Sequence, residues 1–530
     1  MNPTSHVPPA PRSLDVVALV ILAVAVAFRA YRLDVPFVDA HSWRQVTNVD
    51  IARNWAEGSI DFLYPTVSWG GPDGRVGLEF PLLQLLIALA WKALGITNVA
   101  GRLVPAAFSV LTVWFTYRVG CRLFSTGAGR AAAFLMAVSP SVVYFGRTPL
   151  SDTPMLCFSV ASVLGYLSYA QEGRTRYALG GALALALAGL VKLPAILVLG
   201  PVLWTGFTLR GVRQTLTDPW YVAGTLGAVG TIAVWYLHAD QIYLETGLTQ
   251  AIFRPSGTYA PDIAQYAGTL TTVSHWTRLD SLTWETAREL LQRYWTLHLT
   301  PAFTLFTVAG LVSWRWGIGR RSIVDIWALA AASLVLVSLV GQIPHEFHQL
   351  PTLPPLALYF GMGAAPLFGG ALYSRASVTR RVALAAAVGV ALSGLALVGF
   401  LKSGVIRHLY RPDNMNQAAI DAGWAIDHVT PPGALVVSVE YERYGTNSPI
   451  LLYFAHRRGW SFDATSISEV VAEFLRDRYG ACYVAVADWP TLSAVRPDVA
   501  EWLENQRAVE LPYTADRYRL FDIGLGRCAP

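Results

Sequence analysis

Long apolar blocks separated by short polar stretches fill the first 400 residues of the chain. A helix that crosses a bilayer needs about 20 mostly apolar residues. Runs of that kind occupy 14–28, 103–117, 131–145, 153–170, 177–191, 193–209, 220–237, 301–314, 324–342, 352–373 and 382–401. A shorter run, Leu82 to Leu94, is ambiguous by length alone. From about Arg407 onward charges become frequent and the period changes. Ala434 to Glu440 and Cys482 to Ala487 read as buried strands, and Ile467 to Arg478 and Val499 to Arg507 as amphipathic helices.

Arginine placement resolves the ambiguous run. With a cytoplasmic N-terminus and a Leu82–Leu94 helix that does not cross, the inside loops hold Arg118, Arg122 and Arg130; Arg174 and Arg176; Arg210 and Arg213; Arg315, Arg320 and Arg321; and Arg375, Arg380 and Arg381. Short inside loops rich in arginine are what the positive-inside rule requires. A crossing by 82–94 would turn all of them outward. The first run lacks a small-residue cleavage site and is followed directly by Arg29, Tyr31 and Arg32, so it reads as a span and not as a cleaved signal. The expected fold is an α-helical polytopic membrane protein with about 11 spanning helices. Outer juxtamembrane helices and a small C-terminal α/β extracytoplasmic domain complete it. The expected domains are 1–402, in the membrane with outer loops 31–101 and 238–300, and 403–530, outside it.

Composition agrees. Of the 530 residues 54% are hydrophobic and 14% charged, against about 25% charged in soluble chains. Disorder is excluded for most of the chain, and a net charge of +5 without one basic face excludes a DNA-binding protein. Only Lys92, Lys192 and Lys402 are lysine. Cys482 and Cys528 both fall in the outer domain, where a disulfide is compatible with an oxidising compartment; Cys121 and Cys157 read as apolar fillers.

Candidate chemistry collects on the outer side. Asp39, His41, Trp43 and Arg44 sit together after the first span, followed by Val46, Val49, Ala52 and Ala56 at helical spacing, which suits a helix lying on the membrane surface. A plain solvated loop is the alternative. Glu79 precedes the 82–94 helix, either as a functional acid or as a cap stabilised by the helix dipole. Arg147 and Asp152 bracket Pro149 at an outer turn, as site residues or as a surface ion pair. Lys192 follows an almost wholly apolar arm, either snorkelling or meeting a phosphate at the membrane border. His345 and His348 are three apart in another outer turn; with Glu79 they are the candidate ligands if a divalent metal is used. There is no GxGxxG and no Walker A, so a nucleotide-activated donor is not expected; a donor outside would be lipid-linked.

The motifs Asp39 with His41-Ser42-Trp43-Arg44-Gln45, Glu79-Phe80-Pro81, Arg102 with Pro105, Arg147 with Asp152, Lys192-Leu193-Pro194 and His348-Gln349-Leu350-Pro351 resemble the GT-C membrane glycosyltransferases. Within these, the chain is most similar to the superfamily of dolichyl-phosphate-mannose protein mannosyltransferases and lipid A aminoarabinose transferases. The resemblance covers roughly residues 14–400. It implies an inverting transfer, on the extracytoplasmic face of the cell membrane, from a polyprenyl-phosphate-linked sugar to a hydroxyl on an acceptor glycan, lipid or protein. The family's catalytic acid maps onto Asp39. Many members carry a second acid beside it; here Ala40 and His41 follow. Asp152 is the other catalytic candidate, and His41, Arg44, Glu79, Arg147, Lys192, His345 and His348 are expected to bind substrate. The competing readings are a polytopic transporter or flippase, which places charge within its spans at the bilayer midplane, and a non-catalytic membrane scaffold. The spans here are nearly free of charge.

Overall fold

A computed structural model of the chain describes residues 15–249, 262–263, 283–313, 318–343, 345–369, 394–395, 397–402, 404, 409–410, 414–440, 448–511 and 517–524. The first helices in chain order are α1 (Val16–Arg29), α2 (Ser42–Glu57), α3 (Leu82–Leu94), α4 (Asn98–Leu123), α5 (Thr126–Val138), α6 (Pro140–Phe145), α7 (Asp152–Glu172), α8 (Thr175–Val191), α9 (Leu199–Arg210), α10 (Val212–Thr217) and α11 (Pro219–Thr246). Later come Thr300–Leu311, Ile318–Val337 and Leu353–Phe368. Helices thus occupy each expected span from 14–28 through 352–373; the last expected span, 382–401, lies largely outside the described residues. Among the described helices four are long and apolar enough to cross a membrane: Asn98–Leu123, Asp152–Glu172, Leu193–Arg210 and Pro219–Thr246. Five shorter ones, including α1, α3, α5 and α8, are apolar as well.

The chain divides into two compact units. The first comprises Met1–Leu33, Arg102–Val234 and Ser274–Tyr410. Its helices pack through small residues, as helices in lipid do when no hydrophobic force separates them from the solvent. A Cβ on Gly165 of α7 would lie 2.5 Å from the Cα of Gly181 of α8, so the two backbones touch. Leu183, Leu226, Leu305 and Leu329 point outward and are exposed, as lipid-facing residues must be. The expected span 131–145 is interrupted at Ser139, whose ψ is 125°. Pro140 forces this, because the residue before a proline is pushed out of the helical region. At the arginine-rich end, several of the guanidinium groups have structural partners. Arg130 pairs with Asp15 at 2.8 Å, Arg122 with Glu172 at 2.7 Å and Arg210 with Asp218 at 2.7 Å.

The second unit is built from Asp34–Gly101, Trp235–Val273 and Arg411–Pro530. Its centre is a five-stranded sheet of order β2-β1-β3-β5-β4, formed by β1 (Leu435–Glu440), β2 (Arg458–Asp463), β3 (Ala481–Val486), β4 (Arg507–Val509) and β5 (Arg519–Asp522). β1 pairs in parallel with β2 and β3; β5 pairs antiparallel with β3 and β4. Val437, Val439, Phe462, Val484 and Val486 join Leu475, Leu492 and Leu503 of the covering helices in one core. The small sheet agrees in part with the α/β arrangement expected of the C-terminal region. Residues from the first outer segment pair with β2, Gly71 N donating to Gly459 O at 2.7 Å and Gly459 N to Ser68 O at 2.9 Å. They cover what would otherwise be a bare sheet edge. Cys482 is disulfide-bonded and Cys121 and Cys157 are free; Cys528 lies outside the described residues.

The helix expected after Asp39 exists as α2, and it is largely buried within the protein. Both its faces are buried, the polar Gln45, Thr47, Asn48, Asp50 and Arg53 included. The reason is that its polar groups find protein partners. Asp50 accepts from Ser68 N at 2.7 Å and Ser68 Oγ at 2.6 Å. Arg53 donates to Tyr453 O and stands 3.9 Å from that tyrosine's ring centroid. Asn48 accepts from Gln84 of α3 at 2.8 Å. α3 itself is amphipathic, burying Leu83, Gln84, Ile87, Ala88 and Trp91 against this unit.

Glu440, at the end of β1, is fully buried and accepts from Ser448 Oγ at 2.6 Å and Leu451 N at 3.1 Å. Burial pushes its carboxyl from the usual 4.5 up to about 8, the two hydrogen bonds opposing this in part. The folded state therefore holds a proton that the unfolded chain has released, and stability falls as pH rises between about 4.5 and 8. Thermal unfolding of the purified protein across pH 5 to 8 is expected to show this decline, and Glu440→Gln to remove it. An unchanged slope in that variant would assign the pH dependence elsewhere.

Candidate active site

The turn between α6 and α7 is set by local hydrogen bonds. Arg147 N donates to Tyr144 O at 3.2 Å, Thr148 N to Phe145 O at 3.2 Å, and the hydroxyls of Thr148 and Thr153 both donate to Phe145 O at 2.8 Å. This closed turn places Asp152 at the start of a 21-residue helix, where the peptide dipoles favour a carboxylate. The next hairpin brings Lys192 to it. Lys192 ends α8 in an extended conformation, and its Nζ lies 2.6 Å from Asp152 Oδ2. Both side chains are nearly buried, 13% and 4% exposed, so the pair is not the solvent-screened surface bridge that contributes little. Asp152 therefore holds Lys192, and not Arg147 as the sequence order suggested.

A third turn closes over the ammonium. The 3-10 segment Glu346–Thr352 sets Phe347 with its ring centroid 5.0 Å from Lys192 Nζ. His345 and His348 flank that ring, and the Nδ1 of each lies by Gly341 O, at 3.3 and 3.1 Å. Arg147 is fully buried in the same unit; it donates to Arg32 O at 3.2 Å and stacks 4.3 Å from the ring centroid of Tyr410. Met155 and Leu156 of α7, Pro194 and Val198, and Trp327 and Leu334 line a small apolar cavity in the same unit. The first unit thus brings His345 and His348, through Phe347, to the Asp152–Lys192 pair, while Arg147 is held by Arg32 and Tyr410.

The remaining candidates belong to the second unit. Asp39 is 2% exposed and accepts from Gln45 Nε2 at 2.7 Å; the same amide reaches Ala40 O at 2.8 Å. His41 caps α2 with φ 61° and ψ 34°, a left-handed conformation that an L-residue adopts under constraint and that gathers at functional sites. Arg44 lies with its Cζ 5.0 Å from the Trp43 ring centroid. Glu79 is half-buried and does not cap α3, whose N-cap is Pro81 with no side-chain hydrogen bond. The metal expectation finds no support: among the described residues no three His, Cys, Asp or Glu side chains converge as ligands, and no step is assigned to a metal. Arg102 is fully buried within α4.

Sequence reasoning missed His298. It ends a single π-turn, Tyr294–His298, ahead of the Thr300–Leu311 helix. It is fully buried; its Nε2 lies 2.7 Å from Gln349 Oε1 and its Nδ1 2.8 Å from Ser141 Oγ. Gln349 Nε2 donates to Gln342 O at 3.2 Å, which fixes the amide so that Oε1 accepts. The imidazole is then neutral with its proton on Nε2, and burial pushes its pKa down to about 4. The isolated letter His298 carries no periodic signal; only its contacts distinguish it.

If the ion pair is the hub of this site, removing either partner strands a nearly buried charge. Asp152→Asn and Lys192→Gln are each expected to lower stability by on the order of 3 kcal/mol, with the double variant less affected than the sum. Unfolding temperatures of the four proteins in detergent check this; strictly additive losses would dismiss the coupling.

Comparison with known proteins supports the same reading. Residues 79–238 match the family described as dolichyl-phosphate-mannose-protein mannosyltransferase. No curated protein matches the chain by sequence. In three dimensions the chain is similar to ArnT from Cupriavidus metallidurans in the apo state, with a TM-score of 0.62 at 12% identity, over 96% of this chain and 98% of that one. The same ArnT bound to undecaprenyl phosphate gives 0.60 at 12% identity, over 98% and 100%. The archaeal oligosaccharyltransferase AglB from Archaeoglobus fulgidus, in complex with an inhibitory peptide and a dolichol-phosphate, gives 0.55 at 14% identity, over 93% and 72%. With the mannosyltransferase match across α3 to α11 and the shared architecture over nearly its whole length, the chain has the fold of the GT-C membrane glycosyltransferases.

Proposed function

We propose that this protein is an inverting glycosyltransferase of the cell membrane that moves a sugar from a polyprenyl-phosphate donor to an acceptor hydroxyl on the extracytoplasmic side. The observation that carries this reading is the nearly buried Lys192 ammonium, held at 2.6 Å by Asp152 at the end of the apolar helix α8. A buried cation at the end of an apolar helix matches a ligand with a phosphate head and an isoprenoid tail. The undecaprenyl phosphate bound by ArnT has that chemistry. The disulfide-bonded Cys482 favours an oxidising, outer location for the second unit.

The chemistry needs little acid assistance, because a lipid phosphate is already a good leaving group. As the acceptor oxygen attacks the anomeric carbon, the bond from that carbon to the phosphate oxygen breaks and its electron pair goes to the phosphate. Lys192 neutralises the charge that grows there, and the buried Arg147 adds to the positive field. Asp39 takes the acceptor proton as general base; its assignment rests on the resemblance of the first outer loop, its burial and the constrained backbone at His41. Asp152 positions Lys192. Attack opposite the leaving phosphate inverts the anomeric centre.

The test uses purified full-length protein in nanodiscs with radiolabelled undecaprenyl-phosphate hexoses and pentoses. The wild type is expected to release or transfer sugar. Asp39→Asn is expected to insert and to bind the donor lipid, with transfer reduced by roughly a thousandfold or more, as for loss of an essential catalytic group. Full activity in that variant would remove Asp39 from the mechanism. Movement of intact lipid without transfer would instead indicate a flippase, and neither reaction a scaffold.

A further inference from the structure

Ser139, Ser141, His298, Gln342 and Gln349 form a continuous buried polar chain in a unit otherwise dominated by apolar contacts. Ser139 Oγ donates to His298 O at 2.6 Å, Ser141 Oγ to His298 Nδ1 at 2.8 Å, and His298 Nε2 to Gln349 Oε1 at 2.7 Å. Gln349 continues to Gln342 O, which also accepts from Arg293 Nη1 at 2.8 Å. A buried polar group without partners is expensive, so such a chain persists only when its members satisfy one another. Its ends are the informative part. Ser141 belongs to α6, whose C-terminal turn carries Arg147. Gln349 belongs to the 3-10 segment that carries Phe347 against Lys192. The imidazole hydrogen-bonds to both elements, and Phe145 of α6 also meets Phe347, with ring centroids 5.9 Å apart. Tyr294, at the start of the same π-turn, adds a tie to Thr352 at 2.9 Å.

The local backbone is constrained to make this bridge. Within Tyr294–His298 the helix has widened to a π-turn, a form that is rare and recurs at functional sites. Two residues on, Thr300 takes φ 61°, outside the region a β-branched residue prefers. Both features place the His298 ring between Ser141 and Gln349 in place of continuing a regular helix.

We propose that His298 is a positioning residue for the phosphate end of the site, clamping α6 to the Glu346–Thr352 segment so that Arg147 and the Lys192–Phe347 contact keep their places. This rests on the donor-lipid reading above. His298 touches no reacting atom; it acts through the two elements it joins.

The test measures binding of undecaprenyl phosphate to the full-length protein in nanodiscs, alongside the unfolding temperature of each variant. His298→Leu keeps the volume and removes both hydrogen bonds; the dissociation constant is expected to rise about tenfold, the effect of losing one buried hydrogen-bond partner. His298→Gln, which retains a donor near the Nε2 position, is expected to recover most of that loss. Equal binding by His298→Leu and wild type, or equal loss in the Leu and Gln variants, would reduce His298 to packing and overturn the proposal. Should neither variant fold, Ser141→Ala decides, because it removes only the hydroxyl donor. A constant raised about threefold or more supports the clamp, and one within about twofold of wild type overturns it. A wild type that binds no undecaprenyl phosphate would overturn the donor-lipid reading itself, an outcome distinct from unequal variants.

Discussion

The ion pair between Asp152 and Lys192 is the contact around which the first unit organises its outer end. In a low-dielectric setting a single carboxylate or ammonium is expensive to bury, and each is tolerated because the other is 2.6 Å away. The pair requires α7 and α8 to run side by side with their outer ends in register. The close approach at Gly165 and Gly181 supplies that, and the helix-start position of Asp152 adds dipole stabilisation. Lys192 is thereby held beside Phe347 instead of snorkelling away. Charge and aromatic ring coincide because one electrostatic requirement fixes both.

The second unit shows a different logic. Its parallel strands β1 and β3 are almost wholly buried and read as near-continuous apolar runs, whereas the edge strand β2 is polar at both ends. The first outer segment, which a linear reading treats as a loop, supplies Ser68 to Gly71 as a cover for the β2 edge and α2 as a buried polar helix. The acid that the family resemblance marks, Asp39, precedes that helix and is held by Gln45. A buried carboxylate held by an amide and followed by a left-handed His41 is a position maintained against local preference. Such positions are maintained by surrounding packing, here by the buried contacts of α2 with Ser68, Tyr453 and Gln84.

Much of the fold was legible in the sequence, because lipid imposes a simple rule. Every backbone polar group in the bilayer must be satisfied within its own segment, so long apolar runs become helices. Helices appear at each expected span through Leu353–Phe368, and the break at Ser139 follows from Pro140 alone. The candidate residues around Lys192 were legible as types: an isolated lysine after an apolar arm, an acid and an arginine about one turn, two histidines three apart. Their partners were not. Asp152 pairs with a residue 40 positions away, and nothing in either local pattern names that distance. The burial of the polar side of α2 was not legible for a related reason, since apolar residues at helical spacing describe one face and say nothing of what covers the other.

By itself, then, the sequence determined that the chain is helical and apolar over its first 400 residues, where its helices begin and break, and which polar residues are out of keeping with their surroundings. Those properties depend on composition and on neighbours three or four residues apart. Only the tertiary structure decided that Asp152 holds Lys192, that α2 is interior, and that His298 joins Ser141 to Gln349 across 157 and 51 positions. The reason is that burial and helix formation are local responses to the solvent, whereas a hydrogen bond or ion pair between distant elements exists only once packing has brought their backbones into register.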